Sequence, residues 1–524
     1  MEALVRLILI AGVCCSLGAL WYTRRKRTVI YPDLPFASLD DKEVGDPDVC
    51  RMQFMADCNG LLKKGSEKFN GPFQVYTGDG RRIVLPNSFA DEIRDNENMS
   101  FGESAIEGTF NTLSGFEPFG LAVHQGVMRD VVRLKLTRSL DAITPELRDE
   151  ARQSVDIILG KDQGKSSLRP ERKSLDLTPL TEWKEMSLKD INARLIARLS
   201  SRIFFGAGVS NNDEYLDATI SYTMDSFMAH RILRTWKPWL RPFVHWFIPE
   251  CQRVRQLRKT IRDIISPVIK QQEQERRNRS DTKVKVSDML GWLEEIASRK
   301  NTTVPVADAQ LFLAFAAIHT TTENLTYVLL DIVDCPGLID RLRDEIVEVL
   351  STHTWTKTTF GQMKLLDSVL KESQRLHPVS AIMMERKVLA PVTLSNGLTL
   401  PAGSDTFLDT LVHRSPEIYP DADKFIPDRF MKLREIDTVA NSKWQFVSTS
   451  AQHLGFGHGR NSCPGRFFAS NELKIALVYL LIGYDWKYPE GGRVPEMRMG
   501  QGAWVPAEQK IMFKRTAGAN DSLL

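Results

Sequence analysis

A glycine-rich loop around one cysteine, Cys463, constrains this chain more than any other stretch. The loop, residues 456–465, carries three glycines and a proline, and an apolar helical pattern follows directly. Glycine permits positive φ angles and lets a flat group approach the backbone closely. Backbone N–H groups and the positive end of a helix stabilise a thiolate at such a position. A thiolate there suits a soft metal ligand, and haem iron accepts a single cysteine; the alternative is a buried free cysteine in an ordinary turn.

A second motif lies in the middle of a long apolar helical pattern at residues 311–330, where the sequence reads Ala-Ala-Ile-His-Thr-Thr. Small residues let a ligand approach the helix backbone, and the Thr320 hydroxyl can compete for backbone carbonyls. His319, with a pKa near neutrality, can relay protons. The alternative is a threonine pair in a helix interior with His319 at the surface. Because Glu323 and Asn324 interrupt the pattern, we predict a buried central helix instead of a second membrane span.

A third motif pairs Glu372 with Arg375, which are neighbours on one helix face at i, i+3. A surface ion pair of this kind is common and contributes little. Further along the chain, the segment Phe-Ile-Pro-Asp-Arg-Phe supplies Arg429. An arginine fork can bind a carboxylate in bidentate fashion.

In this order the three motifs resemble those of the cytochrome P-450 family. Phe456, Gly459, Cys463 and Gly465 fall in register with the family's haem-binding signature. The central helix resembles its oxygen-binding groove, and the Glu-x-x-Arg pair with the later Pro-x-Arg-Phe resembles its network under the haem loop. The resemblance implies a mainly α fold with a small β-sheet portion, a cytochrome P-450 fold behind a single N-terminal transmembrane helix.

The resemblance also implies haem b (iron protoporphyrin IX) as cofactor and Cys463 as the axial ligand of its iron. Asn461 stands where the family usually has Arg or His facing a haem propionate. Arg386, and Arg133 on a helix predicted over residues 123–140, are further candidates for propionate contacts. The alternative for Arg133 is a solvated helix face shared with Arg129. The remaining haem contacts implied by the resemblance are Phe456, Gly457, Gly459 and Gly465.

By the same resemblance, Thr320 and His319 would deliver protons, with His319 replacing the family's usual acid. Glu372, Arg375 and Arg429 would lock the haem loop as a structural network. The residues expected to line the substrate pocket are largely apolar and predict an apolar substrate. They are Ala314, Ala317, Thr321, Val379, Ile382, Met383 and Gly500.

An apolar run at residues 7–22 is followed at once by four basic residues. A transmembrane helix needs about 20 residues, a length reached if residues 3–6 are included and Arg6 snorkels to the interface. A cleaved signal peptide is the alternative, but the basic flank and the lack of a clean cleavage site argue against it. We expect an anchor over residues 1–27, a proline-containing linker over 28–45 and a catalytic domain over 46–524. The basic flank places that domain on the cytoplasmic side.

Local patterns predict β-hairpins at residues 73–85, around an Asp-Gly turn, and at residues 392–400, around Ser-Asn-Gly. Between them, from residue 88 to 350, nearly every stretch has a helical pattern. Residues 236–249 are dense in tryptophan, phenylalanine and proline. This stretch is either a lid that dips into lipid, as the resemblance implies, or aromatic packing inside the fold.

The balance of 69 basic and 66 acidic residues, net charge +3, gives no indication of nucleic-acid binding. Seven cysteines are few, odd in number and unevenly spaced, which fits a reducing compartment better than a disulfide framework. The chain has no CxxC pair, so we expect no zinc site.

The resemblance implies a monooxygenase of the endoplasmic reticulum membrane that receives electrons from NADPH-cytochrome P-450 reductase, with cytochrome b5 as a second donor. Its docking face would be basic residues such as Arg460 and Arg466. The motif variants resemble fungal secondary-metabolism members, including ent-kaurene oxidase-like enzymes, so a terpenoid is the first expectation and a polyketide or alkaloid the second. The rivals are a haem-thiolate isomerase or dehydratase that needs no reductase, and a non-catalytic haem-binding sensor or scaffold.

Overall fold

A computed structural model describes residues 31–40, 46–122, 124–160, 182–237, 239–278, 289–437 and 441–516. Helices dominate these residues, and short strands form small sheets at their margin. The helices in chain order are α1 (Pro47–Ala56), α2 (Cys58–Phe69), α3 (Ala90–Ile93), α4 (Phe101–Gly108), α5 (Val127–Asp130), α6 (Leu140–Leu159), α7 (Leu188–Phe205), α8 (Ala207–Ser210), α9 (Asp213–Thr235), α10 (Arg241–Val244), α11 (Pro249–Asn278), α12 (Met289–Arg299), α13 (Val306–Asp334), α14 (Leu338–Thr352), α15 (Lys357–Gln362), α16 (Lys364–Leu376), α17 (Arg429–Ile436) and α18 (Arg466–Gly483).

The strands are β1 (Phe73–Thr77), β2 (Gly80–Leu85), β3 (Met99–Ser100), β4 (Lys184–Ser187), β5 (Ile382–Val388), β6 (Val392–Thr393), β7 (Thr399–Leu400), β8 (Asp405–Asp409), β9 (Tyr484–Lys487), β10 (Met497–Met499), β11 (Gly502–Trp504) and β12 (Lys510–Arg515). The largest sheet has the order β1-β2-β8-β5-β3, with β2 and β8 parallel. Both predicted hairpins are confirmed as the antiparallel pairs β1–β2 and β6–β7.

The predicted central helix is confirmed as α13, which extends over 29 residues and is buried along most of its length. It packs against α7, α9, α11 and α16. The helices that surround it begin at polar caps, because a side-chain oxygen at the N-cap satisfies an unpaired N–H of the first turn. Ser187 caps α7 by accepting from the Asp190 N–H, and Asn212 caps α9 by accepting from the Tyr215 N–H.

The helix predicted over residues 123–140 is present as a succession of shorter helical segments. After α5, residues Val131–Leu136 form a π-helix and Thr137–Ser139 a single 3-10 turn, and α6 follows. A π-helical turn widens the backbone and is found often at functional sites. It lies here on the segment that carries Arg133.

The described part of the predicted linker, residues 31–40, packs along the edge of the largest sheet. The Ala37 N–H donates to the Gln74 carbonyl at 2.9 Å, and Gln74 Nε2 donates to the Leu34 carbonyl at 2.7 Å. The predicted anchor lies outside the described residues. Within the described ranges, helices of the length and apolarity needed to cross a bilayer are absent.

The aromatic stretch after α9 lies at the surface. Trp236, Trp239, Phe243, Trp246 and Phe247 are all exposed, Phe247 to 81%. Packing inside the fold, the alternative considered for this stretch, is therefore excluded for these five side chains.

Candidate active site

The Cys463 loop is held in shape by its own backbone. The Cys463 N–H donates to the Phe456 carbonyl at 2.8 Å, and the Gly457 N–H donates to the Leu454 carbonyl at 2.7 Å. Gly457 and Gly459 have φ angles of 68° and 76°, in the left-handed region that favours glycine. The loop therefore needs glycine at these two positions, and it ends where α18 begins.

The Cys463 side chain faces space that lies inside the protein. It is exposed, yet desolvation by the surrounding protein raises the pKa of its thiol. Both statements hold for a sulfur that lines an internal cavity. Hydrogen bonds from the backbone N–H groups of Gly465 and Arg466, together with the charge of Arg466, act in the opposite direction and favour the thiolate.

The rest of the loop packs against neighbouring segments. Phe456 is half-buried and meets the Phe446 ring edge-on, with 5.1 Å between ring centroids. A Cβ atom at Gly459 would lie 2.5 Å from Cβ of Arg94, so this backbone touches its neighbour directly. His458 contacts the Asp91 carboxylate at 2.9 Å. Asn461 is half-buried, in the short 3-10 turn of the loop.

The structure brings Glu372, Arg375 and Arg429 together in one buried network. Arg375 donates from Nε and Nη2 to the two Glu372 carboxylate oxygens, each at 2.8 Å, and Arg429 Nε donates to Oε1 at 3.0 Å. Arg375 and Glu372 are both 0% exposed. The remaining N–H groups of the two arginines donate to backbone carbonyls. Arg375 donates to those of His413 and Ala422, and Arg429 donates to that of Pro420.

Further buried polar groups tie the same helix, α16, to the segment before the cysteine loop. Lys371 Nζ donates to the Gln445 and Ser448 carbonyls at 2.9 Å each, and burial lowers its pKa to about 7. Gln374 Oε1 lies 3.0 Å from His453 Nε2. The loop is thus supported from α16 at several points, and its position depends on that helix.

Helix α13 carries an open face in the middle of its buried length. Ala316 is exposed and Thr320, one turn later, is half-buried. The Thr320 hydroxyl donates to the Ala316 carbonyl at 2.8 Å, as its predicted competition for backbone carbonyls requires, and Asn324 Nδ2 donates to the Thr320 carbonyl at 2.8 Å. Such bonds loosen a helix locally. Like Cys463, this face borders space within the molecule.

His319 lies beside the aromatic side of helix α9. Its ring is 4.8 Å from that of Phe227, and desolvation, followed by the charges of Lys189 and Arg231, lowers its pKa to about 4. The imidazole is therefore neutral at physiological pH. In that state it can accept a proton at one nitrogen and donate from the other.

The two arginines predicted to contact haem propionates differ in environment. Arg386 is 2% exposed, and its Nε has no hydrogen-bond partner among the described residues. Burial lowers its pKa to about 10. Arg133 is exposed and close enough to Arg466 for the two charges to interact. A buried guanidinium with an unpaired donor requires an acceptor, which a haem carboxylate would supply, and Cys463 offers a sulfur to the iron. The residues present fit haem.

The residues predicted to line the pocket are placed unevenly. Ala317, Met383 and Gly500 are half-buried and Val379 is 37% exposed, whereas Ala314, Thr321 and Ile382 are buried. Three apolar residues near these positions lie outside the predicted set and are exposed: Ala316, Phe227 to 37% and Met228 to 43%. Ala316 lies within the quoted motif. Whether its methyl group or that of Ala317 faces the open space depends on the rotation of α13 about its axis, which the sequence pattern does not show. No local signal marks the two residues of α9.

Comparison with known proteins agrees with this geometry. The family model described as Cytochrome P-450 matches residues 92–515. Cytochrome P-450 monooxygenase 1 of Gibberella fujikuroi is 37% identical over 85% of this chain and 97% of the relative. The cytochrome P-450 monooxygenase hepE of Aspergillus oryzae is 36% identical, over 89% of the chain and 82% of the relative. The monooxygenase adrA of Penicillium rubens is 34% identical, over 89% and 88%.

Proposed function

The chain belongs to the cytochrome P-450 family and is a haem b-dependent monooxygenase, and on that premise we propose that it oxidises an apolar secondary metabolite. A terpenoid is the first substrate class and a polyketide or alkaloid the second. The observation that carries the proposal is the apolar open face of α13, where Ala316 is exposed and the exposed Phe227 ring of α9 packs against Phe315 and His319, the residues on either side of it. Apolar walls of this kind favour a bulky apolar ligand.

The side chains of the site divide the work. Haem with a thiolate ligand supplies the oxygen chemistry when bound. Cys463 would hold the iron, and the backbone N–H groups of Gly465 and Arg466 favour its thiolate. Thr320 places a hydroxyl proton at the open face of α13, and neutral His319 can pass protons along the same helix. Arg386 would bind a haem carboxylate. The Glu372 network holds the cysteine loop in position.

Enzymes of this family receive electrons from a separate redox partner, and we propose NADPH-cytochrome P-450 reductase, assisted by cytochrome b5. Support comes from exposed positive charge at the Cys463 loop, on Arg460 within the loop and on Arg133, whose charge interacts with that of Arg466. Arg466, also expected at this face, is half-buried and donates to the Cys463 and Val447 carbonyls at 2.8 and 3.0 Å. Its contribution is therefore to the loop, and Arg460 remains as the docking residue.

We also propose that the protein is anchored in the endoplasmic reticulum membrane with its catalytic domain on the cytoplasmic side. The exposed aromatic stretch between α9 and α11 supports this localisation, because tryptophan and phenylalanine partition into the membrane interface. Fractionation of cells that produce the full chain, and of cells that produce it without residues 1–27, tests the anchor. Recovery of the full chain in the soluble fraction after lysis would refute the anchor.

The substrate proposal is tested by spectral titration of the purified haem-loaded protein with a terpenoid, a polyketide lactone and an indole alkaloid, followed by turnover with reductase and NADPH. We expect the terpenoid to shift the Soret band at the lowest concentration and to yield an oxygenated product. The variant Ala316→Phe fills the open face and should abolish the shift. Tighter binding of the polyketide or alkaloid would overturn the first choice of substrate.

A further inference from the structure

One arginine near the open face of α13 has no acidic partner among the residues that the structure describes. Arg231 lies on α9, one turn after Phe227, whose ring meets the His319 ring on α13. The Arg231 guanidinium lies over the ring of Trp504 on β11, 4.3 Å from its centroid. Its charge also reaches His319, where it contributes to the lowered pKa. Arg231 therefore lies where α9, α13 and the β10–β11 hairpin meet.

The charges around Arg231 are otherwise balanced. Arg234 is paired with Asp79 at 2.6 Å, and Lys189 is paired with Glu323. No carboxylate among the described residues comes within ion-pair distance of Arg231, and the hydrogen-bond acceptor it reaches is the thioether sulfur of Met228, at 3.9 Å. A thioether is a weak acceptor. Consistent with a guanidinium short of partners, desolvation and the charge of Arg234 lower the Arg231 pKa.

A half-buried arginine without a carboxylate is costly to hold in place, because burying a charge is favourable only when it is paired. The cation–π contact with Trp504 offsets part of that cost and fixes the plane of the guanidinium. Its N–H donors remain available in the arrangement that binds a carboxylate with two parallel hydrogen bonds. Its neighbours on α9 are apolar and exposed: Phe227, whose ring contacts that of His319, and Met228, whose sulfur lies 3.9 Å from Arg231.

We propose that Arg231 binds a carboxylate on the substrate, so that the protein acts on an apolar carboxylic acid. This inference rests on the proposed function and refines it: the carbon skeleton fills the apolar face beside Ala316, and the acid group is held between α9 and the β10–β11 hairpin. Arg231 would then select the substrate and set which end of it lies beside Thr320.

A structural role for Arg231 is the alternative, in which it only clamps the hairpin through Trp504. The two roles differ in their dependence on ligand charge, since a clamp stabilises the protein equally with acids and alcohols. The hairpin is also held elsewhere, by the Gly500 N–H donating to the Met55 carbonyl and the Ala381 N–H donating to the Gln501 carbonyl, both at 2.7 Å. The variant Arg231→Met should therefore fold.

The test uses two pairs of probes that share a skeleton and differ in charge: abietic acid with abietinol, and dodecanoic acid with 1-dodecanol. Their dissociation constants are measured by Soret titration and, independently, by the rise in unfolding temperature. In the unmodified protein each acid should bind about tenfold more tightly than its alcohol. This is the effect expected of one charge-assisted bidentate contact in a half-buried site. Arg231→Met should abolish that preference, and Arg231→Lys should retain part of it.

Arg253→Met is the matched control, because Arg253 is half exposed on α11 and already paired with Asp225; it should leave the preference unchanged. Equal binding of acid and alcohol by the unmodified protein, or a preference that persists in Arg231→Met, would overturn the inference. A preference for dodecanoic acid over every terpenoid probe would keep the inference and refute the terpenoid substrate. Tight binding of neutral terpenoids alone would refute the inference and keep the terpenoid substrate.

Discussion

The two sides of the site are built in opposite ways. Beneath the cysteine loop, Glu372 and Arg375 are fully buried, and their charges are paired with each other, with Arg429 and with carbonyls. On the face of α13, Ala316 is exposed, and Arg231 nearby has no acidic partner within the described part of the chain. The first side is satisfied by the chain alone. The second has polar and apolar groups that are completed only by another molecule.

This difference separates support from recognition. A metal ligand has to be held within a fraction of an ångström, which requires a second layer of residues locked by packing and hydrogen bonds. A substrate pocket gains specificity from groups that are unpaired until the right ligand arrives. Changes on the supporting side should therefore affect folding and haem together, whereas changes on the open side should affect binding and coupling in a folded protein.

The largest effect is expected for Cys463→Ser, which removes the ligand and leaves its support in place. The reduced, carbon monoxide-bound protein should lose the red-shifted Soret band of a thiolate ligand, and monooxygenase activity should be lost with it. Cys335→Ser is the control, since Cys335 is a half-buried free cysteine on another segment. A thiolate-type band that persists in Cys463→Ser would refute the assignment of the ligand.

Glu372→Ala breaks the support itself. It leaves two buried guanidinium groups without their carboxylate, and the free energy of unfolding should fall by about 3–5 kcal/mol, as for one partner removed from a buried ion pair. Urea denaturation measures the change. Glu417→Ala, at an exposed carboxylate, should change stability by less than about 0.5 kcal/mol. A loss in Glu372→Ala no greater than that of the control would show that the network does not support the fold.

The loop glycines allow a finer comparison on the same side. Gly457→Ala meets only the strain of a positive φ, about 1 kcal/mol, because a Cβ there lies 3.7 Å from its nearest neighbour. Gly459→Ala meets the same strain and a Cβ contact of 2.5 Å with Arg94. Thermal unfolding should therefore show a larger loss for Gly459→Ala, together with weaker haem retention. Equal losses would mean that the loop can move away from Arg94.

On the open side, Thr320→Ala should leave folding and the thiolate spectrum intact. Without the hydroxyl, fewer of the electrons taken from NADPH should reach product, and we expect product per NADPH consumed to fall about a hundredfold, at the low end for one proton-delivering group. Thr320→Ser, which keeps the hydroxyl, should restore most of it. Unchanged coupling in Thr320→Ala would remove Thr320 from proton delivery.

The smallest effect concerns pH. Because the folded-state pKa of His319, about 4, lies below its ordinary value of 6.5, the unfolded chain binds more protons between those values. Stability is therefore lost as the pH falls from 6.5 towards 4. His319→Phe should reduce the loss of unfolding free energy between pH 7 and pH 5 by on the order of 1 kcal/mol. His353→Phe replaces an exposed histidine and should leave this loss of unfolding free energy unchanged. An identical pH dependence in all three proteins would contradict the burial of His319.

The sequence predicts the supporting side well, and the reason is physical. Glu372, Arg375 and Arg429 belong to short motifs whose spacing is tied to local backbone geometry, and the structure brings the three together. Cys463 belongs to a loop whose glycines adopt the positive φ angles that its motif requires. The central helix and the β1–β2 hairpin follow from periodicity and turn chemistry in the same way. The pocket positions on α13 stay a prediction, because one residue of helix rotation exchanges Ala317 for Ala316.

The partners of a residue across elements are likewise beyond the sequence. Nothing near Arg231 along the chain shows that it meets Trp504, or that Arg234, three residues later, is paired with Asp79 while Arg231 is not. The π-helical turn at Val131–Leu136 has no signature in the pattern either. Such features depend on which faces pack together after the whole chain has folded.

The parallel pairing of β2 with β8 has a consequence for biosynthesis. β2 leaves the ribosome early, but its partner follows only after most of the chain has been made, and β12 at the end of the described chain pairs with β4 near the middle. Contacts between such distant segments are slow to form, and strand edges stay exposed until they do. Translation arrested before residue 405 should therefore release a chain whose first hairpin lacks its neighbour, a substrate for chaperones and proteolysis.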